Sequence, residues 1–136
     1  MRFALTIVCM LTTVPATAAD LTIRIGNLRS DEGQLLVAIC DEAQFTTSDC
    51  VHIGRAPASG GVVTIRDVPP GIYAIQAIHD ENGNGTLDRR MMFIPLEGIG
   101  FSRNARMRRG PPRFAEAAIE IRGDGVVSFD MEYFQD

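Results

Sequence analysis

The chain contains no lysine: every one of its 13 basic residues is arginine. We read this chiefly as compositional bias, with one physical consequence. Each cationic side chain is a planar fork suited to bidentate pairing with carboxylate or phosphate, and none is a compact ammonium. With 17 acidic residues the formal charge is −4, which argues against a general nucleic-acid-binding role. A long helical period is also missing. Only the stretch Arg113 to Ala118 has the makings of a single turn, so a helical fold is excluded. There is no G-x-S-x-G, no H-E-x-x-H and no phosphate-cradling glycine loop, and the sequence therefore points away from an enzyme. Internal repeats and low-complexity tails are absent too.

Long apolar runs are scarce. The run Phe3 to Leu11 is almost unbroken but too short to cross a bilayer as a stable helix. Arg2 precedes it, and Pro15-Ala16-Thr17-Ala18-Ala19 follows with small residues, which is the anatomy of a secretory signal peptide cleaved after Ala18 or Ala19. The expected organisation is a leader over 1–19 and one domain over 20–136, periplasmic or secreted, with no transmembrane segment in the mature chain. Export would remove Cys9 and leave Cys40 and Cys50. In an oxidising compartment these two are expected to form a disulfide that closes a small loop at a strand end. Their spacing is not that of a C-x-x-C redox site.

What is present reads as strands. Leu21 to Ile25 alternates apolar and polar residues, whereas Gln34 to Cys40 is apolar on both faces, as in a strand near the middle of a sheet. Val51 to Ile53 is a short edge segment, and Val62 to Arg66 is the next strand. Pro69-Pro70-Gly71 turns the chain into a long strand, Ile72 to His79. Ala117 to Arg122 and Val126 to Phe134 close the sequence, joined as a hairpin at Gly123-Asp124-Gly125. Between them, Phe93 to Phe114 is so punctuated by glycine and proline that long regular structure is excluded, while Phe93, Ile94, Leu96, Ile99 and Phe101 predict packing onto the body. About seven short strands predict an antiparallel all-β sandwich of the immunoglobulin or transthyretin type.

The densest chemical signal follows the long strand. Counting from Asp80, oxygen-bearing side chains recur at Asn82 and Asn84, Gly85 permits a sharp turn, and the carbonyl of Thr86 and the carboxylate of Asp88 come next. That is much of the first nine positions of a calcium loop. Met91 stands where the bidentate glutamate of position twelve belongs, so further ligands are needed from elsewhere, with Glu81, Glu97 and Asp41 available. The competing reading is a self-satisfied loop of Asx turns that needs no metal.

A basic segment lies beyond it: Arg89, Arg90, Arg103, Arg106, Arg108, Arg109 and Arg113, with Glu97 the sole acid among them. Arg103, Arg106, Arg108 and Arg109 are candidates for binding an anionic ligand or surface. The favoured alternative is that arginines pair with Asp80, Asp88 or other acids and clamp the long loop. Alternation places His79 with Tyr73, Ile75 and Ala77, a satisfied histidine rather than a catalytic base.

Three blocks carry a family resemblance: Pro69-Pro70-Gly71-Ile72-Tyr73 through His79 to Asp88, Pro95-Leu96-Glu97-Gly98-Ile99-Gly100-Phe101-Ser102-Arg103-Asn104-Ala105, and Gly110-Pro111-Pro112-Arg113-Phe114. Together they resemble the bacterial domain-of-unknown-function 2141 family of exported proteins. The likeness implies an exported β protein and assigns it no task. The Pro-Pro-Gly-x-Tyr turn is also similar to turns in transthyretin-like and carboxypeptidase regulatory-like sandwiches, which are commonly accessory modules. The expected function is thus a binding or structural module with an envelope protein or glycan as partner and calcium as its one candidate cofactor. The alternatives are a small envelope hydrolase using Asp80, Asp88 or His79, and an accessory factor docking on anionic surfaces through residues 103–113.

Overall fold

Strict alternation along Ala19–Gly26 (β1) turns Ala19, Leu21, Ile23 and Ile25 inward and leaves Asp20 and Arg24 in solvent. The computed structural model describes residues 7–13, 17–90 and 94–134. After β1 come Gln34–Cys40 (β2), His52–Pro57 (β3), Val62–Val68 (β4) and Gly71–Asp80 (β5). The two-residue strands Arg89–Arg90 (β6) and Ile94–Pro95 (β7) pair with each other, and Gly98–Phe101 (β8) follows. One helical turn, Phe114–Ala117 (α1), precedes Ile119–Ile121 (β9) and Gly125–Asp130 (β10). The expected leader lies partly outside the described residues, as do Met91 and Phe93.

Apart from the β6–β7 pair, the strands form two sheets, one ordered β10-β1-β4 and one ordered β3-β2-β5-β8, with β9 also on β5. The chain is an all-β sandwich. Leu21, Ile23, Val63 and Ile65 from the smaller sheet meet Leu35, Val37, Ile39 and Ile75 from the larger one in the main core. A second apolar cluster lies on the outer face of the larger sheet. There Phe45 packs edge-on against Phe101 and Phe114, with centroids 5.8 and 6.0 Å apart, beside Cys40, Cys50 and Ala74.

The edge strand runs on to Pro57 and the last strand ends at Asp130, against the expected Ile53 and Phe134, and two further departures from the sequence reading shape the site. Gly98–Phe101 is a strand paired with Gln76 to His79, although its glycines read as breaks. A Cβ on Gly98 would stand 2.5 Å from the Tyr133 ring and one on Gly100 2.8 Å from the Asp130 carbonyl, so close approach, not flexibility, demands glycine there. The closing pair is not a hairpin. β9 runs antiparallel to β5 in the larger sheet, while β10 runs parallel to β1 in the smaller one. The turn at Gly123 to Gly125 therefore carries the chain between layers.

β8 and β9 share one edge of β5, paired with Gln76–His79 and Gly71–Tyr73 respectively. The buried Ser102 hydroxyl fills the gap between them, accepting from the Ile75 N–H at 3.0 Å and donating to the Ala117 carbonyl.

Candidate cation site at the end of the central strand

Consecutive residues of a strand face opposite ways, and this separates the two ionisable groups at the end of β5. His79 points into the sandwich, fully buried. Its Nε2 lies 2.9 Å from the Glu32 carbonyl and donates to it, and its Nδ1 is hydrogen-bonded to the Tyr133 hydroxyl at 2.8 Å. Both nitrogens are occupied. His79 and Asp80 sit on opposite faces of the strand and do not form an acid–base pair.

Asp80 faces outward but is covered by the loop it launches, with 0% of its surface exposed. Gln34, its cross-strand neighbour, donates to Oδ2 at 2.8 Å; the Gly85 N–H donates to the same oxygen at 2.8 Å and the Asn84 N–H to Oδ1 at 3.2 Å. Burial alone would raise its pKa, but these donors, with Gly83, outweigh that effect and hold the carboxyl below the usual aspartate range. Gly83 and Gly85, at φ +70° and +80°, supply the left-handed residues that wrap the chain around it.

The rest of the loop is organised around Asp88. Asn82 Nδ2 donates to it at 2.7 Å and Asn84 Nδ2 at 2.9 Å. Asn82 Oδ1 accepts from the Asn84 N–H at 3.1 Å and Asn84 Oδ1 from the Thr86 N–H at 3.0 Å, two successive Asx turns. No described arginine makes a salt bridge with Asp80 or Asp88; the described ion pairs are Arg29–Glu81, Arg106–Glu132, Arg113–Glu116 and Arg122–Glu120.

One of the three further acids that sequence spacing left open lies against this loop. Glu97, between β7 and β8, is only 5% exposed. Its Oε2 accepts from the Asp88 N–H at 3.2 Å, while Oε1 is buried with no hydrogen-bond partner. Burial raises its pKa most; the Asp88 N–H opposes this, while the charges of Asp88 and Asp80 and the close approach of the Asp80 carboxyl raise it further. Among the described residues no three His, Cys, Asp or Glu side chains are gathered closely enough to hold a metal by themselves. A cation in this loop would depend on the amide oxygens of Asn82 and Asn84 and the Thr86 carbonyl as well as on carboxylates.

The candidate anion-binding arginines divide. Arg103 donates to the Ala115 carbonyl at 3.2 Å and Arg106 to Glu132 at 3.2 Å, both holding the loop to the body. Arg108 and Arg109 are exposed and pair with no described acid. Cys40 and Cys50 are joined in a disulfide with a sequence separation of 10.

Fold and site together define an all-β sandwich with a carboxylate-centred loop capping the end of its central strand. The chain belongs to the family described as uncharacterized protein conserved in bacteria (DUF2141), which matches residues 23–129. No curated protein and no solved structure matches it.

Proposed function

We propose that the protein is an exported, non-catalytic binding module whose loop from Asp80 to Asp88 takes up calcium, with Glu97 completing the ligand set. One observation carries this: the buried, unpartnered Oε1 of Glu97 beside Asp80 and Asp88. Leaving a buried carboxylate oxygen unpaired costs roughly 1–3 kcal/mol or more, and a divalent cation removes both that cost and the mutual repulsion of the acids. Asp80 and the Thr86 carbonyl fit the first and seventh places of a calcium loop, and Glu97 stands in for the glutamate that the sequence lacks at the twelfth. Asn82 and Asn84 would turn their amide oxygens from the Asx turns towards the ion. The Asn–Asp88 hydrogen bonds support a self-satisfied loop instead, so calcium must outcompete them. Affinity in the range of extracellular modules, about 0.1–1 mM, follows from so few carboxylates.

Export is supported by the leader-like residues 1–19 and by the disulfide. Ala19 is fully buried and pairs with Val68, so cleavage after Ala18 keeps β1 whole. The exposed Arg108 and Arg109 are the residues left for contact with an anionic envelope partner or glycan.

Thermal unfolding of the mature chain with calcium, magnesium or chelator tests the reading. Calcium should raise the Tm saturably, by the equivalent of about 2–3 kcal/mol at one hundred times Kd. Glu97→Gln should abolish the shift without lowering the Tm of the calcium-free chain. An unchanged Tm at 10 mM calcium, about ten times the weakest Kd expected, would sink the proposal.

A further inference from the structure

The outer face of an antiparallel sheet in a two-layer sandwich is ordinarily solvated and polar. In the larger sheet it is apolar between its two covered ends. Register gives two rows across it: Arg55–Leu36–Ile78–Ile99 and Ile53–Ala38–Gln76–Phe101. The next row on one side holds Gln34 and Asp80 beneath the acidic loop; the next on the other holds Cys40 and Ala74 beneath the disulfide loop. The two loops rise as walls, Thr46 to Ser48 on one side and Thr86, Leu87 and Arg89 on the other. Between them lies a groove of about 810 Å³, within the usual range for small-molecule sites of roughly 300–1,000 Å³. Leu36, Ala38 and Ile78 are only half-buried in its floor, and Ile53 is 67% exposed at its rim.

The charge in the groove has one sign. Arg55 ends one floor row and Arg89 stands on a wall, both lining the groove and neither paired with a described acid; no acidic residue is among those described as lining it. Four strands spaced about 4.8 Å apart give the floor a length of about 14 Å. We propose that this groove binds a small amphipathic anion, a single hydrocarbon chain of about ten carbons ended by an oxyanion that Arg55 and Arg89 receive. The tail lies along Leu36, Ile78 and Ile99, where it covers apolar surface at about 25 cal/mol per Å². The acidic loop is one wall of this groove, but the floor and Arg55 come from β2, β3, β5 and β8.

Isothermal titration of the mature, disulfide-bonded chain with sodium decanoate, decanol and vesicles of anionic phospholipid tests the proposal. Decanoate should bind saturably at one per chain and decanol at least tenfold more weakly. Arg55→Gln should weaken decanoate about tenfold. Ala38→Phe, which projects a ring from the floor, should abolish binding with the melting temperature retained. Four results would overturn the proposal: no decanoate binding, equal binding of decanol, binding to vesicles alone, or full affinity in Arg55→Gln. Arg55 is exposed, so that last variant remains informative even if Ala38→Phe fails to fold.

Discussion

The hydroxyl of Tyr133 lies 2.8 Å from Nδ1 of His79, joining the end of the chain to the buried face of the central strand. The same hydroxyl accepts from the Arg29 N–H at 3.2 Å, and the Arg29 guanidinium stacks over the ring at 4.7 Å from its centroid while pairing with Glu81. One phenol thus ties the β1–β2 turn, the strand end and the first residue of the acidic loop together. This explains the glycine at position 98, where the ring needs the space.

Burial raises the Tyr133 pKa, with the charge of Glu81 adding to it and the Arg29 N–H and guanidinium opposing it. The folded pKa therefore lies above the unfolded value. The corresponding stability is complete below the unfolded tyrosine pKa and is lost as pH rises through the folded one. Denaturant melts across the alkaline range should show this loss in the native chain. Tyr133→Phe should cost about 1–3 kcal/mol at neutral pH, because it leaves Nδ1 of a fully buried histidine unpaired, and should remove the tyrosine-linked part of the alkaline decline. A variant as stable as the native chain at neutral pH would show that the His79 bond contributes nothing.

The Cys40–Cys50 bridge closes a loop that carries Phe45 onto Phe101 and Phe114. For a loop this short, restriction of the unfolded chain contributes about 2–3 kcal/mol. Replacing both cysteines by alanine should lower stability by that amount in urea titrations. It should also expose the aromatic cluster, seen as increased dye binding at intermediate urea. A loss well under 1 kcal/mol would mean that the aromatic contacts alone hold the loop.

How much of this was legible depends on the range of the interactions involved. Alternation identified β1 and the inward face of β5, because a half-buried strand writes its own period into the sequence. The apolar character of Gln34 to Cys40 on both faces marked β2 as central, but half of that signal belongs to the groove, which a strand pattern does not distinguish from burial. Gly98 and Gly100 read as breaks because local propensity is blind to Tyr133 and Asp130, which press against them from more than two dozen residues away. The turn at Gly123 to Gly125 was correctly a turn. Local sequence specifies that the chain reverses, not which sheet receives it.

The acidic loop was legible for the same local reason, since Asp80, Asn82, Asn84 and Asp88 satisfy one another within nine residues. Whether arginine clamps it was not, because ion pairing depends on where distant side chains converge. The arginines proved to serve Glu81, Glu132, Glu116 and Glu120. Glu97 could be named from sequence but not chosen, since only the β6–β7 pairing brings it back to the Asp88 N–H.

Gly33 adopts φ +71° in the turn between β1 and β2, and a Cβ there would stand 2.1 Å from the Asp80 carbonyl oxygen and 2.6 Å from Glu81 Cα. Both are backbone atoms at the root of the acidic loop, so neither can rotate away. Gly83 has nearly the same conformation, φ +70°, but nothing lies within 4 Å of its missing Cβ. The two positions separate conformational strain from steric contact. Gly83→Ala should cost only the left-handed backbone, about 1 kcal/mol. Gly33→Ala should cost that plus the displacement of the loop root, about 2–4 kcal/mol in all. If calcium binds where proposed, Gly33→Ala should also weaken it, since Asp80 moves with its own carbonyl. Urea titrations of both variants provide the measure, and equal losses would show that the β1–β2 turn yields freely and does not buttress the site.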